Sequence, residues 1–340
     1  MKKVKHIINW IVWSLLVLHI LFVIVINLPA VQTFFGSYAA DALSQKLGTR
    51  VSLERIELGF PNRIILDNVD IFDQSDKTLL HAGRLSAKID FLPLAEGRIS
   101  ISSAQIFSAN VVLTKADSLA QPNYQFVLDS LASDSEEPST LNLRINSLII
   151  RHSNVSYDQQ DQPQTPHRLN TKHLKVRDIS AHIILKELQD DSLNVNIKRL
   201  AFNEQSGLAV NKLAMRLEAN ANQAHLEDFK LQLPHSTILI NNAKATFNKD
   251  QMEQTLKYEA STSTTPLTVN DLSFIAPELL SFHQQLQIDA KIKGTANSIT
   301  CERLNLTSDD NSIALALTGA VEQLDRQPLW HVGINQFFVS

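Results

Sequence analysis

The chain has 340 residues and a formal net charge of −4, from 31 lysines and arginines against 35 aspartates and glutamates, which excludes a generally basic nucleic-acid-binding protein. Its single cysteine excludes intramolecular disulfides and cysteine-based metal sites, and its 9 glycines argue against the glycine-rich loops of nucleotide-binding folds. Hydrophobic residues make up 44% of the chain but aromatic residues only 6%, so the apolar surface is mostly aliphatic.

The first predicted element is a membrane anchor within residues 1–28. Residues 7–28 contain no acidic residue, lysine or arginine. At about 1.5 Å per residue they form a helix roughly 33 Å long, which is enough to cross a bilayer. Lys2, Lys3 and Lys5 precede this segment, so the positive-inside rule places the N-terminus in the cytoplasm. The alternative is a cleaved signal peptide, but its apolar region is shorter and a small-residue cleavage site follows it. The pattern favours the uncleaved anchor.

The second predicted element is a short amphipathic helix within residues 29–48. Apolar residues recur at helical spacing in this segment, at Val31, Phe34, Phe35, Tyr38, Ala42 and Leu43. Gly48 follows Leu47 in the position of a helix C-cap, which predicts a helix from Val31 to Leu47. Such a helix either caps the end of the next domain or lies on the outer face of the membrane, and the two roles are compatible.

The third predicted domain, residues 49–340, consists of β-strands whose alternation slips in phase. Apolar and polar residues alternate with a period of two from Arg50 onward. The slips occur across pairs of polar residues: Glu54-Arg55, Ser102-Ser103, Asn146-Ser147, Lys198-Arg199, Asn211-Lys212, Glu227-Asp228, Asn241-Asn242 and Glu302-Arg303. A β-bulge would restore the phase, and a two-residue hairpin turn would give the same pattern. Because the pairs are rarely of the Asn-Gly or Asp-Gly type, the sequence favours kinked strands.

Each predicted strand has one aliphatic face and one polar face. Such a sheet either closes into a sandwich or curves into an open trough lined with aliphatic side chains. Periodicity does not distinguish the two, and on pattern alone the sandwich is favoured. Twelve residues in alternating runs are the candidates for the inward-facing lining of the trough: Leu58, Leu66, Ile89, Ile101, Leu143, Ile183, Ile197, Met215, Leu231, Ile240, Ile292 and Leu315. An ordinary sealed core would use the same residues.

Motifs for catalysis or metal binding are lacking in the sequence. The 11 histidines form no H-x-x-x-H pair, and neither a glycine-rich phosphate loop nor a G-x-S-x-G motif is present. The acid pairs Asp190-Asp191 and Asp309-Asp310 lie in turn-like sequence, and Cys301 alternates with apolar neighbours as a buried small residue would. We therefore expect no catalytic residue, no metal and no cofactor, and a binding protein rather than an enzyme.

An ordered series of short motifs resembles a known family. Residues 31–94 contain a helix ending in Leu43-Ser44-x-x-Leu47-Gly48-Thr49, followed by Val51-Ser52-Leu53, Leu66-Asp67-Asn68-Val69 and Thr78-Leu79-Leu80-His81-Ala82. The series continues with Gly97-Arg98-Ile99-Ser100-Ile101, with residues 200–208 and with residues 233–238. Together with the N-terminal anchor, this series resembles the TamB branch of the AsmA-like envelope proteins over most of the chain.

The resemblance implies a fold and a function. It implies a mainly β protein in which an elongated, curved antiparallel sheet forms an open hydrophobic groove, a β-taco. It also implies a single-pass protein of the bacterial inner membrane with its bulk in the periplasm. The implied role is phospholipid transport between the inner and outer membranes during outer-membrane biogenesis. The alternative is a factor that assists the insertion of outer-membrane proteins.

The partners follow from the same resemblance. Expected partners are phospholipid, the inner membrane and an Omp85-type outer-membrane barrel, and no nucleic acid. Members of this branch are usually longer, so we expect these residues to be an N-terminal portion of a groove that continues beyond residue 340.

Overall fold

The computed structural model describes residues 2–59, 62–90, 99–132, 141–142, 146–189, 192–324 and 327–339. Two helices begin the chain and most of the remainder is β-strand, so the predicted mainly β class is confirmed. The helices are α1 (Lys2–Ile26), α2 (Pro29–Leu47), α3 (Gln125–Ala132) and α4 (Met252–Thr255). Short 3-10 turns lie at Lys249–Gln251, Val269–Leu272 and Pro277–Ser281.

The chain divides into two compact units, Met1–Thr114 with Gln121–Leu143, and Lys115–Ala120 with Arg144–Ser340. The first unit contains β1 (Val51–Gly59), β2 (Arg63–Phe72), β3 (Thr78–Ile89), β4 (Ile99–Lys115) and β5 (Leu141–Asn142). The second contains β6 (Ser147–Gln159), β7 (His173–Gln189), β8 (Ser192–Glu204), β9 (Ala209–Asn220), β10 (Gln223–Gln232), β11 (Thr237–Thr246), β12 (Lys257–Thr262), β13 (Thr265–Thr268), β14 (Gln285–Thr295), β15 (Ser298–Ser308), β16 (Ile313–Glu322) and β17 (Leu329–Val339).

Strands that are consecutive in sequence are neighbours in each sheet. In the first unit β1 to β4 form an antiparallel meander, and the short β5 pairs with β4 in parallel. In the second unit each strand from β6 to β11 pairs antiparallel with the next one, up to β12. The strands β12 and β13 both pair with β14, and β14 to β17 form a further antiparallel meander. Each meander is therefore an open sheet, since none of the described pairings joins its first strand to its last.

The two N-terminal helices meet at a bend. Among the described residues no single helix is long and apolar enough to cross a membrane on its own. Val12–Ile26 and Pro29–Leu47, bent by 64°, satisfy that criterion only as a pair. The predicted membrane anchor therefore stays a prediction. The second predicted helix is confirmed, because α2 begins with Pro29 in its first turn and ends at Leu47, directly before the left-handed Gly48, which has a φ of 63°.

The phase slips are kinks inside strands. All of the predicted polar pairs except Asn146-Ser147, which stands at the start of β6, lie within continuous strands. Several coincide with shifts in register, as between Ile197 and Leu200 in β8 and between Cys301 and Leu304 in β15. The prediction of kinked strands rather than hairpin turns is confirmed at these positions. The apolar blocks before and after each slip consequently stay on one face.

The helix α2 covers one end of the first sheet. Ala40 of α2 is buried together with Leu53, Val69, Ala82 and Ala109, which come from β1 to β4. Close packing requires a glycine in α2, because a Cβ atom at Gly36 would lie 3.3 Å from the carbonyl oxygen of Glu54 in β1. A small-residue surface of α2 therefore packs on the sheet, as expected of a capping helix.

Candidate functional site

The longest feature of the second sheet is a row of apolar and small residues on one face. Residues directly opposite one another in neighbouring strands share a face. Register joins ten such residues from β7 to β17: Leu185, Val195, Leu217, Leu226, Ala243, Ala260, Ile292, Cys301, Gly319 and Val332. We call this series the central row. At about 4.8 Å between strands, the row extends roughly 43 Å.

Parallel rows flank the central row on the same face. One consists of Leu193, Ala219, Ala224, Ala245, Tyr258, Gly294, Ile299, Val321 and Trp330. On the other side lie Leu148, Ile183, Ile197 and Met215, and further along the sheet Ala290, Leu304, Leu317 and Ile334. The central row and these flanking rows are named the apolar face. It is continuous across eleven strands because each bulge returns the alternation to the same side.

Exposure of the apolar face lies between that of a core and that of a free surface. The residues of the central row are half-buried from Leu185 to Gly319, whereas the last member, Val332 in β17, is exposed. The side chains of β17 are exposed along the whole strand, and Trp330 is 70% exposed. An ordinary sealed core would bury large aliphatic side chains much more completely. The apolar face is thus only partly removed from solvent.

The opposite face of the second sheet carries the charges. Glu302 accepts hydrogen bonds from Lys291, at 2.8 Å, and from Lys293, and these bonds lower the pKa of its carboxyl to about 2. Arg303 pairs with Asp289 at 2.9 Å on the neighbouring strand. These groups remain accessible to water while the alternate residues form the apolar face. One sheet thereby separates its solvated side from its aliphatic side.

The first sheet also has one apolar side, and its residues become more exposed with distance from α2. The row opposite α2, which contains Leu53 and Val69, is buried. The next row, which contains Ile56 and Leu66, is half-buried, and beyond it Leu58 is 53% exposed. The helix therefore covers one end of this face and leaves the other end accessible.

The twelve predicted lining residues have defined places in the two sheets. Leu143 lies outside the described residues. Leu58 is exposed, and the other ten are half-buried: Leu66, Ile89, Ile101, Ile183, Ile197, Met215, Leu231, Ile240, Ile292 and Leu315. Leu58, Leu66, Ile89 and Ile101 belong to the first unit and the remaining described ones to the second.

Register brings the predicted residues against other apolar side chains. Ile183, Ile197 and Met215 share one row across β7, β8 and β9. Ile89 lies opposite Ile101, and Ile292 belongs to the central row. Leu231 lies opposite Leu213 and Ile238, Ile240 opposite Phe229, and Leu315 opposite Leu306 and Phe337. Whether these residues contact lipid stays a prediction.

No family model, curated protein or solved structure matches this chain. The resemblance to the TamB branch therefore remains a prediction from its ordered motifs. Among the described strands, the apolar face extends from β6 to β17.

Small members of the apolar face escaped the sequence analysis. Ala260 and Gly319 belong to the central row, but short side chains carry little signal in a hydrophobic pattern. Only the pairing register of the strands shows that Ala260 lies in the row between Leu226 and Ile292, and that Gly319 lies next to Cys301 in the same row. Knowing which strands pair is the signal that would have identified them.

The buried histidine His173, outside the apolar face, has a structural role. His173 is buried, and its Nδ1 lies 2.6 Å from Asp158 while its Nε2 lies 2.8 Å from the carbonyl oxygen of Gln162. The hydrogen bond with Asp158 raises the pKa of His173. This arrangement fastens the connection between β6 and β7. In the described part of the chain, no group of three or more histidine, cysteine or acidic residues is placed to hold a metal ion.

Proposed function

We propose that this protein is a membrane-anchored carrier that holds phospholipid acyl chains against its apolar face and guides them between the inner and outer membranes of bacteria. The observation that carries the proposal is the unbroken central row from β7 to β17. Each methylene group that leaves a bilayer for water costs about 0.8 kcal/mol. A continuous aliphatic surface offsets this cost at every position along the path, which an isolated pocket would not do.

The mechanism needs binding and shielding, without bond chemistry. Acyl chains would lie across the strands, and the half-buried side chains of Ile197, Met215 and Ile292 would replace part of their contact with water. Headgroups would stay in solvent at the rim of the sheet. Curvature of the sheet into a groove, as in the TamB branch, belongs to this proposal, and so does the absence of an enzymatic step.

The N-terminal helices support a location at a membrane. Trp10 and Trp13 of α1 are exposed, as expected of aromatic residues at a bilayer interface. In α2, Phe34, Phe35 and Tyr38 are exposed, in contrast to the small residues that pack on β1. An interfacial helix presents such aromatic residues to the headgroup region. We therefore place α1 in the inner membrane, α2 at its outer surface and the strands in the periplasm.

The central test compares two single substitutions on one strand. Ile197→Asp places a carboxylate on the apolar face, whereas Asn196→Asp places the same charge on the polar face, opposite Arg216. Each full-length variant is purified in neutral detergent, its thermal unfolding is measured, and its bound lipid is identified by mass spectrometry. We expect Ile197→Asp to stay folded with a several-fold loss of lipid, because a carboxylate on an accessible face stays hydrated. Asn196→Asp should retain normal lipid.

Two outcomes would contradict the proposal. If Ile197→Asp unfolds the sheet while Asn196→Asp does not, the apolar face is a sealed core, since an unpaired charge is tolerated only where water reaches it. If Ile197→Asp stays folded and carries normal lipid, acyl chains do not pass this position.

The single cysteine provides a second measurement. Cys301 lies in the central row, so an environment-sensitive fluorophore attached there reports on the apolar face. The matched control is Cys301→Ser with Thr300→Cys, which moves the label by one residue to the polar face. Addition of phosphatidylethanolamine vesicles should shift the emission of the Cys301 label to the blue and leave the control unchanged. Equal responses would mean that lipid does not bind selectively to the apolar face.

Topology is tested with a reporter. A periplasm-dependent enzyme fused after residue 340 should be active, because Lys2, Lys3 and Lys5 keep the N-terminus in the cytoplasm. Activity only of a cytoplasm-dependent reporter would contradict the proposed location.

A further inference from the structure

A basic depression of about 260 Å³ lies on the polar face of the second sheet, across β6, β7 and β8. Its lining comprises Arg151, His152, His182 and Arg199, together with Ile149, Ile150, Ser180 and Ala181. His182 lies opposite Ile149 on one side and Arg199 on the other, so the three occupy one cross-strand row. Ile149, His182 and Arg199 alternate with Leu148, Ile183 and Leu200, which face the other way, whereas Ile150 and Ala181 of the lining share the row of Leu200.

Two bulges shape this depression. Arg151 and His152 together face the single residue Ser180 of β7, because Ile150 pairs with Ala181 and Ser153 pairs with Ile179. His152 has a φ of 51°, a left-handed conformation that few non-glycine residues adopt. At this bulge Arg151 and His152 both line the depression, directly after Ile149 and Ile150.

The second bulge acts from the other side of the depression. His182 pairs with Arg199, but the next residue, Ile183, pairs with Ile197, so Lys198 is the extra residue in β8. Arg199 lines the depression and Lys198 does not. Strained and bulged positions concentrate where a strand redirects side chains toward a function.

The charges of the depression are uncompensated. None of the residues that line it is acidic. Within the part of the chain that the structure describes, the guanidinium groups of Arg151 and Arg199 take part in no ion pair. Elsewhere on the polar face arginines do have partners, as Arg216 has in Asp228 and Arg303 has in Asp289. Two unpaired guanidinium groups are donors that suit the oxygen atoms of a phosphate.

We propose that this depression is a phosphate-binding site, with Arg151 and Arg199 as the charged ligands and His152 and His182 as further donors. The site is separate from the proposed path of acyl chains because it lies on the opposite face of the sheet. Its phosphate belongs to a soluble anion or to the headgroup of a lipid at a membrane surface. The recognised chemistry is the same in both cases, and the experiment distinguishes the sources.

The test uses the full chain in neutral detergent. Inorganic phosphate is titrated by calorimetry, and vesicles of phosphatidylglycerol or of phosphatidylcholine are tested by flotation. The double variant Arg151→Gln with Arg199→Gln removes the two charged ligands. Lys198→Gln is the matched control, since it removes one positive charge from the same strand outside the depression. Arg199→Lys keeps the charge but removes the planar fork of donors.

We expect phosphate affinity to fall at least tenfold for each arginine removed, which corresponds to about 1.4 kcal/mol, because each guanidinium group donates charge-assisted hydrogen bonds to the phosphate. Lys198→Gln should bind as the unmodified protein does. Binding of free phosphate that the double variant loses supports a soluble ligand. Binding of phosphatidylglycerol vesicles alone, lost in the double variant, supports a headgroup.

Two outcomes would overturn the site. One is a double variant, with an unchanged melting temperature, that binds phosphate and vesicles as the unmodified protein does. The other is an equal loss in Lys198→Gln, which would show that net charge alone attracts the anion. If the double variant does not fold, Arg199→Lys decides the matter, since full retention of phosphate binding would contradict a role for the guanidinium fork.

Discussion

Replacing Asp67 by asparagine should loosen the first sheet by removing a carboxylate that joins three strands. The Asp67 side chain is 9% exposed and accepts hydrogen bonds from Arg84 Nε at 2.7 Å and from Arg55 Nη2 at 2.8 Å. Arg55 belongs to β1, Asp67 to β2 and Arg84 to β3. Burial raises the pKa of the Asp67 carboxyl, but the hydrogen bonds and charges of the two arginines outweigh it and lower the pKa.

The expected loss is about 3 kcal/mol at neutral pH. Two hydrogen bonds to a charged group contribute about 1.5–3 kcal/mol each. Because Arg55 and Arg84 are themselves 38% and 47% exposed, solvent screening reduces that sum. The amide of asparagine would leave both guanidinium groups beside each other, with Glu57, at 2.9 Å from Arg55, and Glu54 as acidic neighbours of Arg55.

The loss should also depend on pH in a defined direction. The pKa of Asp67 in the folded protein is lower than its value of about 3.9 in an unfolded chain. Its stabilising contribution is therefore complete above the unfolded pKa and disappears as the pH falls through the folded pKa. The difference between the unmodified protein and Asp67→Asn should shrink toward strongly acidic pH.

Hydrogen–deuterium exchange of residues 51–90 measures the free energy of opening in this unit alone. The matched control is Asp70→Asn on the same strand, since Asp70 is 30% exposed and bonds to His81 and Ser52 rather than to arginine. We expect the control to lose less than about 1 kcal/mol. An equal loss in both variants, or a difference for Asp67→Asn that stays constant in acid, would refute the reasoning.

Three further predictions concern single contacts. Gly36→Leu should detach α2 from β1, because even a Cβ atom at this position would lie 3.3 Å from the carbonyl oxygen of Glu54 in β1. Faster hydrogen–deuterium exchange of the β1 amides would confirm the detachment, and an unchanged exchange rate would contradict it. Gly294→Ala should destabilise the β14–β15 hairpin by about 1–3 kcal/mol, because its Cβ would overlap the backbone carbonyl oxygen of Ser298 and also contact Tyr258 Oη. An unchanged melting profile would argue against this. The raised pKa of His173 stabilises the β6–β7 connection below the unfolded pKa of about 6.5, and this contribution is lost as the pH rises through the folded pKa. Exchange in residues 158–173 should therefore accelerate with pH beyond its intrinsic rate, and His173→Gln should abolish the excess.

Local patterns predicted the local structure well. The helix α2 ends where Gly48 indicated, because a left-handed C-cap is a property of a few consecutive residues. The kinks at Lys198-Arg199 and Glu302-Arg303 also follow from a change of phase that is visible within one strand. The bulge at Arg151-His152 was not predicted, since the polar residues Ser153 and Asn154 follow it and no apolar alternation marks the slip.

Properties that depend on pairing could not be predicted. The central row became visible only when register placed Ala243 opposite Ala260 and Cys301 opposite Gly319. The burial of Asp67 between two arginines depends likewise on strands that are separated along the chain. The sequence indicated that each strand has an apolar side, whereas the continuity of that side from strand to strand is a property of the sheet.

The meander order has a consequence for how the protein gains and loses structure. Because each strand pairs with strands adjacent in sequence, as β15 does with β14 and β16, its stability depends mainly on those neighbours. Such an array can grow strand by strand as the chain emerges, since the loops to be closed are short. Damage should remain confined to a few strands, so unfolding of the second unit would proceed from its ends inward rather than in one cooperative step.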